Sequence, residues 1–111
     1  MSHSGGHTSA VFEALAHPTR REIVERISLG ASTVGEASAG IGVSKPTISR
    51  HLRILEEAGV VTRVIDGRTH HLALDARQLG DASEWIERQR VRWERVFDAV
   101  EGYLENQKGS R

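Results

Sequence analysis

The sequence predicts a mainly α-helical domain with one small β-hairpin, and three observations predict it. Apolar residues recur at helical spacing through successive segments, each bounded by a capping residue, a proline or a glycine. The period shortens to about two only in VVTRVI and THHLAL, which flank an Asp66-Gly67 turn. The 111 residues make one domain of ordinary size.

Residues 1–7, which include the imidazoles of His3 and His7, read as a disordered lead, residues 8–107 as the folded domain and residues 108–111 as a disordered end. Two mobile imidazoles make a poor metal site. The first helix is TSAVFEALA, with Thr8 or Ser9 as cap and Val11, Phe12, Leu15 and Ala16 as its apolar stripe. So short a helix needs tertiary support, from a later helix or a second chain. Pro18 starts the next, PTRREIVERISLG, with His17 at the cap position, Ile23, Val24 and Ile27 inward, a Glu22–Arg26 pair outward and Gly30 as the stop. Arg20 and Arg21 belong most simply to its solvated face, with a phosphate or a carboxylate within their reach.

In STVGEASAGIG, Thr33 and Glu36 have capping-box spacing, and Gly40 and Gly42 keep the helix short. A tight turn leads to Ser44, a good N-cap for a helix over residues 44–58 whose Ile48, Leu52 and Leu55 share one face and which Gly59 terminates. Two helices joined by a short turn, the first rich in small residues such as Ala37 and Ala39 and the second polar on its outer face, make a helix-turn-helix. The following hairpin stands where a winged version of that motif carries its wing. His70 and His71 occupy opposite faces of its second strand, so one of them at most faces the core.

The last segment, residues 75–107, begins with a short turn near Ala76 to Leu79, pauses at Gly80 and restarts with Asp81 as cap. Trp85, Ile86, Trp93, Val96, Phe97, Val100, Tyr103 and Leu104 then form an apolar face broader than so small a domain buries alone. The economical partner is the same helix of a second copy, with Phe12 and Leu15 closing the edge. Phe12, Leu15, Trp85, Trp93, Val96, Phe97, Val100 and Leu104 are therefore the expected dimer interface.

Charge and composition narrow the function. Lys plus Arg and Asp plus Glu each number 15, so global basicity carries no signal, but residues 42–72 hold five basic and three acidic residues. That is a weak positive patch, compatible with DNA. With 0 cysteines there is no disulfide, thiolate nucleophile or thiolate metal site. No glycine-rich phosphate loop, zinc-protease pattern or serine elbow accompanies the scattered histidines, so no enzyme and no cofactor is expected. The lead lacks the apolar core of a signal peptide and no apolar run approaches a membrane span, so the chain reads as soluble and cytoplasmic.

Together FEALAHPTRREIV, STVGEASAGIGVSKPTISRHLRILEEAGVV, the DGRTHHLAL wing and a long last helix with spaced tryptophans resemble the ArsR/SmtB family of winged-helix transcriptional repressors. The resemblance spans residues 12–104. It rests on Ala16, Pro18, Thr19 and Arg20, on Ser49, His51, Leu52 and Leu55, and on Ala58 and Gly59, in the order and spacing of the family. It implies a homodimer that represses its own or neighbouring genes by binding an imperfect palindrome in double-stranded DNA. The implied DNA contacts are Ser44, Lys45, Thr47, Ser49, Arg50, His51, Arg53 and, in the wing, Arg68. Lys45, Thr47 and Ser49 are placed to read bases, and Arg50 and Arg53 to hold phosphates. His51 flanks the buried face and fits a core histidine as well as a contact, and Arg63, at the hairpin border, a phosphate contact as well as a structural role.

The chain departs from the metal-sensing branch, having no cysteine and no histidine in its last helix. It is more similar to members that answer to a small organic effector, to another protein or to their own abundance. The competing reading is a winged-helix protein-interaction module without direct DNA readout.

Overall fold

The computed structural model describes residues 3–109, and the side chains of residues 6–108. The elements run α1 (His3–Leu15), α2 (Pro18–Ser28), α3 (Val34–Ser38), α4 (Lys45–Glu57), β1 (Val61–Asp66), β2 (Thr69–Leu74) and α5 (Ala76–Gly109). This is the expected mainly α fold with one antiparallel hairpin, a winged helix-turn-helix.

The helix ends are made by local chemistry. The His17 ring accepts from the Thr19 amide at the start of α2, Thr33 Oγ1 from the Glu36 amide at the start of α3, and Ser44 Oγ from the Thr47 amide at the start of α4. Glu36 reaches back to the Ser32 amide and to both the Ser32 and Thr33 hydroxyls, which closes the capping box. At the exit of α4, the Val60 amide bonds the Leu55 carbonyl and the Gly59 amide the Glu56 carbonyl. That Schellman pattern requires a left-handed residue, and Gly59 has φ +77°.

The core forms where the faces converge. Val11 and Ala14 of α1, Ile23 and Ile27 of α2, Ala37 of α3, Ile48, Leu52 and Leu55 of α4, Val60, Val61 and Leu72 at the hairpin base and Ala82 of α5 are buried together. Phe12 and Leu15 only lean on this cluster and Ala16 is exposed. Ala39 is exposed too, its carbonyl accepting from Arg26 Nη1. The hairpin pairs Val61 with Leu74 through to Asp66 with Thr69. The two residues outside the ladder are thus Gly67 and Arg68, one step beyond the expected Asp66-Gly67 turn. Gly67 has φ +62° and among the described residues every non-glycine φ is negative, the pattern of a type II′ turn with glycine first. Arg68 consequently stands at the tip. The Leu72 amide bonds the Ser32 carbonyl, tying the hairpin to the α2–α3 loop.

Two expectations about the ends are corrected. The first helix starts at His3, five residues before Thr8. Its extra turn is held from outside, because α1 packs on α5 and His7 Nε2 bonds Gln78 Oε1; tertiary contact outweighs the poor helix propensity of Gly5 and Gly6. The side chain of His3 lies outside those described, so a role for it with His7 does too. The last helix is one unbroken run from Ala76 through Gly80 to Gly109, capped by Asp75, whose Oδ1 accepts from the Arg77 amide. A lone glycine costs about 1 kcal/mol in a helix and does not end one flanked by good helix formers. This 34-residue helix, about 50 Å long at 1.5 Å per residue, makes up most of the molecule's 75 Å length. Residues 1, 2, 110 and 111 lie outside the described part.

Candidate nucleic-acid interface

The amphipathic pattern of α4 dictates its orientation: Ile48, Leu52 and Leu55 point into the core and the opposite side is left to solvent. Lys45, Ser49 and Arg53, each four residues apart, form an exposed stripe, and Arg50 lies beside it. Ser44 is exposed at the N-terminal end and Thr47 half-buried, their hydroxyls 2.9 Å apart. Arg68 is exposed at the hairpin tip.

Arginine partners divide this surface from the scaffold. Arg20 donates to the carbonyls of Ala14 at 2.6 Å and Glu13 at 3.2 Å, and Arg21 to that of Leu15 at 2.9 Å. Both therefore satisfy the last carbonyls of α1, a capping role. Arg26 is held by Glu22 at 3.0 Å. Arg63 meets Glu56 of α4 at 2.5 Å and His70 Nδ1 at 2.9 Å, which fastens the hairpin to α4. His70 is accordingly half-buried and His71 exposed. Lys45, Arg50, Arg53 and Arg68 make no hydrogen bond or ion pair with any described residue. An unpaired cation gives up no internal partner when it meets a phosphate.

His51 is the site residue that the structure moves inward. It is 7% exposed, its ring centroid 4.5 Å from that of His17, and its Nδ1 lies 3.3 Å from Arg20 Nη1. Burial first, then the positive potential of His17, Arg20 and Arg50, holds it below the usual imidazole range. The ring therefore packs at the edge of the core, against His17 and Arg20. The tethers of Arg20 and Arg63 run between elements, from α2 to the end of α1 and to His51 of α4, and from β1 to α4, and no helical or strand period carries them.

A second feature is the apolar side of α5. Trp85, Ile86, Trp93, Val96, Phe97, Val100, Tyr103 and Leu104 are each about half exposed or more. Trp85 is anchored edge-on to Phe12 of α1 at 5.5 Å, and Trp93 and Phe97 lie 6.4 Å apart. Between them runs a groove of about 430 Å³ lined by Gln89, Arg92, Trp93, Val96 and Phe97. Among the described residues no three His, Cys, Asp or Glu side chains gather as metal ligands, and no helix is long and apolar enough to cross a membrane.

The comparisons with known proteins agree with this geometry. A helix-turn-helix domain model matches residues 15–64. The transcriptional repressor SdpR of Bacillus subtilis is 36% identical over 76 residues, 68% of this chain and 84% of that protein. The HTH-type transcriptional regulator Rv2034 of Mycobacterium tuberculosis is 46% identical over 50 residues, 45% of this chain and 47% of that one, so the aligned part spans about half of its length. A crystal structure of an ArsR-family transcriptional regulator superposes with a TM-score of 0.76 at 29% identity, over 85% of this chain and 97% of that one. The sorted cations on α4, the wing and these likenesses lead to one conclusion: the chain is a DNA-binding transcriptional regulator of the ArsR/SmtB family.

Proposed function

We propose that the protein is a homodimeric repressor that binds an imperfect palindrome at its own or a neighbouring promoter. The carrying observation is the division of the basic residues: Lys45, Arg50, Arg53 and Arg68 are exposed and unpaired with any described residue, on α4 and at the wing tip, while Arg20, Arg21, Arg26 and Arg63 are tied into the scaffold. Lys45, Thr47 and Ser49, at the N-terminal end of α4, read base edges in the major groove. Arg50 and Arg53 hold phosphates on its flank, and Arg68 reaches the backbone or minor groove beyond. Ser44 caps the helix and adds a hydroxyl.

The apolar side of α5, with Phe12 and Leu15 of α1 at its edge, packs against the same surface of a second copy. A twofold axis through that seam sets two α4 helices about 34 Å apart, one turn of B-DNA. The repressor acts in proportion to its abundance; an organic effector, if one exists, would enter along the aromatic side of α5. The test is footprinting on the DNA upstream of its own gene, with and without candidate ligands. Protection of two half-sites one helical turn apart is expected, and absence of binding at low salt would overturn the DNA reading in favour of a protein-interaction module.

A further inference from the structure

His51 sits on α4 between the side that carries the unpaired cations and the side that is buried, and its surroundings are all positive or neutral. From α2 it faces the His17 ring and the Arg20 guanidinium; on α4 its charged neighbour is Arg50. From α1, Glu13 shares with Arg20 and Glu57 a groove of about 270 Å³, and on β1 Arg63 is engaged by Glu56 and His70. No carboxylate is among the charges acting on His51.

The hydrogen bond to Arg20 settles the proton's place. A guanidinium only donates, so His51 Nδ1 accepts and a neutral ring carries its hydrogen on Nε2. A proton arriving at Nδ1 displaces Arg20 and sets two cations 3.3 Å apart at a buried site. Arg20 is also the residue that caps the carbonyls of Ala14 and Glu13, so its displacement loosens the α1–α2 corner on which α4 rests.

We propose that His17, Arg20 and His51 form an acid-sensitive latch, released by proton uptake at His51, that holds α4 in its DNA-reading position. The proposal rests on α4 being the DNA-reading helix. Well above the ordinary imidazole range, folded and unfolded chains both carry neutral His51 and the latch is closed. As pH falls through about 6.5, the unfolded chain takes a proton that the folded chain refuses. Stability therefore falls with pH until His51 titrates in the folded state as well. At pH 5.5 the folding equilibrium therefore stands lower than at neutral pH from this residue.

The test uses the full chain at pH 7.5 and 5.5, with three readouts: a histidine NMR titration, urea unfolding, and binding to a DNA fragment from upstream of its own gene. His51→Gln keeps an acceptor for Arg20 and cannot titrate; His17→Asn keeps the cap of α2 and removes the second imidazole. Expected are an Nε2–H tautomer for His51 with titration below 6.5, and an acid loss of stability and of DNA affinity greater in the wild type than in His51→Gln. In His17→Asn, His51 should titrate closer to 6.5; no movement would overturn the part assigned to His17. An Nδ1–H tautomer, titration at 6.5 or above, or equal acid sensitivity in wild type and His51→Gln would overturn the latch. Should His51→Gln fail to fold, the wild-type titration alone decides. Absence of DNA binding at pH 7.5 would sink the DNA-reading role of α4, while the NMR and unfolding readouts still decide the latch.

Discussion

Replacing Trp93 by alanine is expected to dissociate the proposed dimer. The side chain is 64% exposed in the single chain and stands beside Phe97, itself 59% exposed. An aromatic of this size presents about 200 Å², so roughly 130 Å² of Trp93 is open to be covered. At about 25 cal/mol per Å² that surface is worth about 3 kcal/mol per copy, and a twofold seam counts it twice. Even if only half is covered, the loss is about 3 kcal/mol per dimer, or roughly two orders of magnitude in the dimer dissociation constant. Sedimentation velocity over a concentration series reads this directly. The folded core should survive, because Trp93 is absent from the buried cluster that joins α1, α2, α4 and the hairpin. An unchanged monomer–dimer equilibrium in Trp93→Ala would refute α5 as the seam.

The scaffold arginines and the caps give sharper local tests. Arg63→Ala breaks a pair only about a quarter exposed on each side and should cost about 1 kcal/mol, read as a melting temperature lowered by a few degrees; no shift would mean that the hairpin is fastened by its apolar base alone. Gly59→Ala puts a β-carbon at φ +77°, 3.2 Å from Gln78 Cγ, and should destabilise by roughly 1–2 kcal/mol in urea unfolding. Hydrogen bonds from Thr33 and Ser32 hold the Glu36 carboxyl below the usual carboxylate range. Its contribution to stability is present above that range and is lost as pH falls through the folded value, so the wild type should show an acid limb below about pH 4.5 that is weaker in Glu36→Gln.

Where a structural decision is local, the sequence carries it. Ser44, the Thr33–Glu36 box and Gly59 act within one helical turn, and the Ile48, Leu52 and Leu55 stripe follows from the helical period alone; all four stand as read. Where tertiary contact decides, the pattern is silent. The start of α1 at His3 depends on packing against α5, and the passage of α5 through Gly80 on the helix formers around it. The site divides in the same way. That α4 presents Lys45, Ser49, Arg50 and Arg53 outward, and turns His51 toward Ile48, Leu52 and Leu55, follows from spacing, whereas the tethering of Arg20 and Arg63 is set by how neighbouring elements pack.

The central claim, that the unpaired cations of α4 and the wing meet DNA phosphates, is tested most directly by the salt dependence of binding to the upstream fragment. The three arginines assigned to the backbone, Arg50, Arg53 and Arg68, in each protomer of a dimer predict a slope of log affinity against log salt of about −5. Arg53→Ala should reduce the magnitude of that slope by about 2, because each dimer loses two contacts, with the melting temperature unchanged. A slope near zero in the wild type, or an Arg53→Ala variant with the wild-type slope, would contradict it.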